Sequence, residues 1–75
     1  MVIKVIAFGS IAEITGKDFS ANASDLDTLK SNLIDQFPIL AERKFAIAVN
    51  QKLVNENYIF TENDTVALMP PYSGG

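Results

Sequence analysis

Between Ser24 and Pro38 the chain reads SDLDTLKSNLIDQFP, and this stretch constrains the fold more than any other. Leu26, Leu29, Leu33, Ile34 and Phe37 recur at helical spacing and line up as one apolar stripe. Pro38 disfavours helical geometry at Phe37 and closes the element. At the other end Ser24 is placed to cap, with Asp27 three residues on as an imperfect capping-box partner. Asp25 and Asp27 put negative charge in the first turn, where the helix dipole favours it. The spacing predicts one amphipathic helix over residues 25 to 37. A single striped helix has one face to bury, so it must pack on one face of something else.

That something is a sheet. VIKVIAF, residues 2 to 8, alternates so that Ile3, Val5 and Ala7 face the core and Lys4, Ile6 and Phe8 share the opposite face. Gly9 and Ser10 break this strand, and IAEITG reads as a loop or single turn ending at Gly16. KDFSA, residues 17 to 21, is a short partner strand closing a hairpin. After a polar bend at Glu42-Arg43-Lys44 comes FAIAVN, residues 45 to 50, a nearly continuous apolar strand. Asn50-Gln51-Lys52 turns the chain into a short return strand at Leu53-Val54. Residues 55 to 63 form a loop with Tyr58, Ile59 and Phe60 pinned beneath it, and Asn63-Asp64 is a turn. TVALM, residues 65 to 69, is the last strand, with Val66 and Leu68 inward and Thr65, Ala67 and Met69 outward. Pro70 and Pro71 donate to no ladder, so the sheet stops there. The expected class is α+β, a mixed sheet with one main helix packed on one face. A domain over residues 1 to 69 is followed by an extended, flexible tail over 70 to 75.

At 75 residues with 48% apolar, the chain is close to the lower size limit for a self-sufficient core, and that core must be well filled. Absent Cys excludes disulfides and thiolate metal sites; absent His removes the commonest general base and metal ligand. No phosphate loop exists, since Gly9 and Gly16 stand apart with no Gly-Lys-Ser/Thr after them. A net charge of −3 with scattered lysines is not the basic face of a nucleic-acid binder. No segment has the length of a membrane span or the layout of a signal peptide, so the expectation is an intracellular, cytoplasmic, soluble protein. The triplets Asn22-Ala23-Ser24 and Asn63-Asp64-Thr65 then read as turn and capping chemistry rather than glycosylation sites.

With the usual catalytic constellations excluded, the ending MPPYSGG becomes the leading chemical feature. Gly74 and Gly75 have no Cβ, so this end fits a narrow channel and approaches another protein's active site closely. Pro70 and Pro71 fix two φ angles and project the tail away from the sheet. The Gly75 carboxylate is a poor electrophile until a partner activates it. Adenylation would permit a sulfur or amine nucleophile to displace AMP, giving a thiocarboxylate, a thioester or an amide.

The succession of elements with VIKVIAFGSIAEITG at 2 to 16, AVNQKLV at 48 to 54 and NDTVALMPPYSGG at 63 to 75 resembles the ubiquitin-like β-grasp sulfur carriers. Within them it is most similar to the small-subunit family of molybdopterin synthase. The resemblance implies a ubiquitin-like β-grasp fold and an adenylating partner related to ubiquitin-activating enzymes, using ATP and Mg²⁺ to form an acyl-adenylate on Gly75. It implies a desulfurase or rhodanese-like sulfur donor that yields a Gly75 thiocarboxylate. It further implies insertion of Pro70, Pro71, Tyr72, Ser73 and Gly74 into a large subunit, where the sulfur passes to cyclic pyranopterin monophosphate. Two such rounds build the dithiolene, and the resemblance implies a heterotetramer with the large subunit. No cofactor and no metal is expected on this chain alone. A docking face is implied at Phe8, Leu53 and Met69; alternation puts Phe8 and Met69 on the side away from the helix, and Leu53 joins them by the resemblance.

Two features depart from that pattern. Tyr72-Ser73 stands where the family often has smaller residues, and the short connection over 38 to 44 leans toward the thiamine-pathway relative. The alternatives are therefore a sulfur carrier for thiamine thiazole or tRNA thiolation, and a ubiquitin-like modifier joined to lysines through Gly75.

Overall fold

The computed structural model describes residues 1–70. Five strands form one mixed sheet: β1 (Val2–Ala7), β2 (Asp18–Asn22), β3 (Ala46–Val49), β4 (Lys52–Leu53) and β5 (Thr65–Met69). Two α-helices, α1 (Gly9–Thr15) and α2 (Leu26–Gln36), and a 3₁₀ turn (Pro38–Glu42) complete the described chain. Across the sheet the order is β2-β1-β5-β3-β4, with β1 and β5 parallel and every other pair antiparallel. The first and last strands thus lie side by side at the centre.

Alternation decides which residues meet. Ile3, Val5 and Ala7 of β1, Ile47 and Val49 of β3, and Val66 and Leu68 of β5 point into one cluster. Leu26, Leu29 and Leu33 of α2 cover it. Leu29, Val5, Val66 and Leu68 have no exposed surface. Burying each of these aliphatic side chains contributes about 1.5–3 kcal/mol. Ile34 and Phe37, at the margin of the stripe, pack against the same cluster and are partly buried.

The structure corrects the sequence reading in four places. Residues 9 to 15 form a helix, where the chain reads as a loop or single turn. Its two ends sit at glycines: Gly9 has φ 55 and Gly16 has φ 97, and the Gly16 N–H closes the helix on the Ala12 carbonyl at 2.8 Å. What stabilises so short a helix is Ile11, only 1% exposed in the core. The cap of α2 is Asp25 rather than Ser24, its carboxylate accepting from the Thr28 N–H at 2.9 Å. The Thr28 hydroxyl, then its amide and the Asn57 side chain, hold the Asp25 carboxyl below its ordinary range. The connection over 38 to 44 opens with a 3₁₀ turn over Pro38–Glu42 that buries Leu40, a feature that the polar residues at 42 to 44 do not announce. Finally, Tyr58 is partly buried and Phe60 fully so, but Ile59 between them is 68% exposed. Asp25 and Ile59 form an isolated bridge, and that extended geometry turns adjacent side chains opposite ways.

Candidate functional site

The face of the sheet opposite α2 carries no described element. Its surface follows from register, because residues directly opposite each other on paired strands share a face. Ile6 stands opposite Ala67, Ala67 opposite Ala48, and Ala48 opposite Leu53. One step toward the sheet's end, past the Ala7–Leu68 pair, lie Phe8 and Met69, and Met69 stands opposite Ala46. The centre of this face is floored by alanines and rimmed by larger apolar side chains. Phe8 is 49% exposed, Leu53 is 71% exposed and Met69 is half-buried. A groove of about 410 Å³ runs between Ile6, Phe8, Asn50, Gln51, Thr65 and Ala67. Phe8, Leu53 and Met69 are therefore brought together on one apolar face, Leu53 by its pairing with Ala48.

The turn that delivers Leu53 is held by a polar cluster whose role the sequence did not disclose. Asn50 and Gln51 have φ 51 and φ 72, the left-handed pair that suits a tight hairpin. The Asn50 side chain then reaches across to the start of β5. Its Nδ2 donates to Asp64 Oδ1 at 2.8 Å, and its Oδ1 accepts from the Thr65 N–H at 3.0 Å. Asp64 is 4% exposed and also accepts from the Thr61 N–H at 2.8 Å. That backbone bond, with Asn50 next, holds the Asp64 carboxyl below its ordinary range. Burial, then the Asp64 charge, pushes the Tyr58 phenol up. An Asn at a hairpin turn and an Asp before a strand were the available signal, but nothing local says that they bond each other.

The tail leaves from the other end of the sheet, where Phe8 and Met69 lie. The last rung between β1 and β5 is the Phe8 N–H to the Leu68 carbonyl at 2.9 Å, and Pro70 follows half-buried beside Gly9. Pro71, Tyr72, Ser73, Gly74 and Gly75 lie outside the described residues. Among the described residues no cluster of three His, Cys, Asp or Glu is placed to hold a metal ion, and no helix is long and apolar enough to cross a membrane. The described surface offers an open apolar face beside the point where Pro70 leaves the sheet.

Known proteins match this arrangement along its whole length. The model of the ThiS family matches residues 5–75. The molybdopterin synthase sulfur carrier subunit of Escherichia coli (strain K12) is 35% identical over 81 residues, covering 99% of this chain and 100% of that protein. A solved complex of subunits 1 and 2 of molybdopterin-converting factor from Helicobacter pylori 26695 contains a chain 30% identical, with a TM-score of 0.79 and both chains fully covered. SAMP1 from Haloferax volcanii superposes with a TM-score of 0.80 over both full chains at 17% identity, which is a likeness of fold. The fold is the ubiquitin-like β-grasp.

Proposed function

Because this chain belongs to the ThiS family, we propose that it is a sulfur carrier and acts as the small subunit of a molybdopterin synthase. The observation that carries this reading is the end-to-end identity of 35% with the sulfur carrier subunit of Escherichia coli. The alanine-floored face rimmed by Phe8, Leu53 and Met69 is the surface for the large subunit, by analogy with the two-subunit complex from Helicobacter pylori. Apolar side chains gathered on one open face suit a partner better than solvent.

The chemistry resides at Gly75. Its carboxylate attacks the α-phosphorus of ATP on an adenylating partner, with Mg²⁺ neutralising the phosphates, and pyrophosphate leaves. The terminal sulfur of a persulfide on a desulfurase or rhodanese-like donor then displaces AMP, and a thiol cleaves the resulting acyl disulfide, forming a disulfide with the donor sulfur and leaving Gly75 as the thiocarboxylate. The thiocarboxylate is ionised at neutral pH and presents a soft nucleophile at an unhindered tip. Threaded into the large subunit by Pro70, Pro71, Tyr72, Ser73 and Gly74, it transfers sulfur to cyclic pyranopterin monophosphate. ATP, Mg²⁺ and pterin are held by the partners.

Intact mass after co-expression with the cognate adenylating enzyme and a sulfur source tests the reading. The expected shift is the difference between sulfur and oxygen, and deleting Gly75 abolishes it. No shift, with the enzyme active on an established carrier, refutes the proposal. A ladder of lysine-linked adducts would assign the chain to protein modification, and sulfur accepted only by a thiazole- or tRNA-modifying enzyme would assign it to another pathway.

A further inference from the structure

Two glycines in the described chain have positive φ, and they differ in what surrounds them. At Gly16, φ is 97 and a Cβ would meet nothing within 4 Å. Backbone freedom is the whole of its role. At Gly9, φ is 55 and a Cβ would stand 3.0 Å from Cγ and 3.6 Å from Cδ of Pro70. The backbone demand at Gly9 is one that asparagine also meets, as Asn50 and Asn63 do at φ 51 and φ 71. The space demand separates glycine from asparagine, since a Cβ would press on the proline ring. A side chain at Gly9 would therefore require the ring to change its pucker or the chain at Pro70 to shift by a few tenths of an ångström.

We propose that Gly9 is a positioning residue for the C-terminal tail: it seats Pro70 and so sets the point from which residues 71 to 75 depart. The topology explains why a residue so near the start acts on the end. β1 and β5 are parallel neighbours, so Phe8-Gly9 and Met69-Pro70 arrive at the same end of the sheet. The Phe8 N–H to Leu68 carbonyl bond at 2.9 Å locks the two strands one residue before the contact. Pro70 has no N–H with which to extend the ladder, and its seat against Gly9 replaces the missing rung. Five residues then span at most about 17 Å, so the place of the reactive carbonyl depends on where and in what direction its root is held. Displacements of about 1 Å at a reacting centre are enough to cost large factors in rate.

This inference rests on the reading of Gly75 as the reacting end, and a double-mutant cycle in the full chain tests it. The variants are Gly9→Asn, Pro70→Ala and the double. The measurements are thermal midpoint, affinity for the large subunit, and kcat and KM for product formation by the reconstituted synthase with thiocarboxylated protein. Gly9→Asn keeps the left-handed backbone, so the fold and the docking affinity change little. Its kcat falls about tenfold or more, and in the Pro70→Ala background the same substitution costs less than about twofold. A Gly9→Asn protein with unaltered kcat, or an equal penalty with and without Pro70, overturns the proposal. If the wild-type chain is never thiocarboxylated, the functional reading fails instead. Amide NMR shifts and dipolar couplings of residues 72 to 75 then decide the positioning role: a change in Gly9→Asn that vanishes in the double supports it, and unchanged spectra overturn it.

Discussion

Asp64 is the only buried charged residue in the described chain, and replacing it tests whether the polar cluster at the β5 entry is structural. In Asp64→Ala three contacts vanish: Asn50 Nδ2 at 2.8 Å, the Thr61 N–H at 2.8 Å and the Thr61 hydroxyl at 3.3 Å. Two good hydrogen bonds to a charged acceptor contribute about 1.5–3 kcal/mol each, and the longer one less. Asn50 and Thr61 are exposed, however, and the released donors regain water, which discounts the sum to about 2–3 kcal/mol. In a domain of this size that lowers the thermal midpoint by about 10–20 °C. Asp64→Asn keeps the shape but points an amide N–H₂ at one of two donors, and costs about 1–2 kcal/mol.

The pH dependence separates this account from simple loss of volume. The native carboxyl is held below its ordinary value of 3.8, so its contribution is fully present above that value and is lost as pH falls through the lower native pKa. The stability gap between wild type and Asp64→Asn is therefore constant near neutral pH and closes progressively below about pH 4. Urea unfolding followed by circular dichroism at a series of pH values measures it. A gap under about 0.5 kcal/mol at neutral pH, or one that does not close in acid, refutes the reasoning.

Other perturbations probe the core, the open face and the turn. Leu29→Ala removes a fully buried side chain from the α2 stripe and costs about 2–5 kcal/mol, a large part of a small domain's stability, as read by urea unfolding. Leu53→Asp changes stability by less than about 0.5 kcal/mol, because the residue is 71% exposed, yet it weakens large-subunit binding by at least about tenfold in calorimetry. Gln51→Gly relieves a left-handed φ of 72 and raises stability by about 0.5–1 kcal/mol after the unfolded-state entropy of glycine is subtracted, measured as a higher thermal midpoint.

Periodicity within a segment was enough to place α2, the inward residues of β1 and β5, and the end of the sheet at Pro70. Each rests on side-chain spacing along one element or on the covalent character of proline, and neither needs a distant partner. The resemblance in the segments around FGSIAEITG, AVNQKLV and the Gly-Gly end pointed to the family, which the match over residues 5–75 shows. Helix α1 was hidden because seven residues have little helical preference alone, and only burial of Ile11 against the sheet tips the balance. The choice of Asp25 over Ser24 as cap was likewise settled by a remote partner, since Asn57 Nδ2 donates to Asp25 Oδ2 at 3.3 Å. Leu53 was assigned to the open face by resemblance, and register with Ala48 is what puts it there. The Asn50–Asp64 clamp and the seat of Pro70 on Gly9 join residues 14 and 61 positions apart. Local propensity acts over a turn or two of chain, whereas the clamp exists only after β3 and β5 have paired antiparallel and the seat only after β1 and β5 have paired in parallel, so the tertiary structure alone decides them.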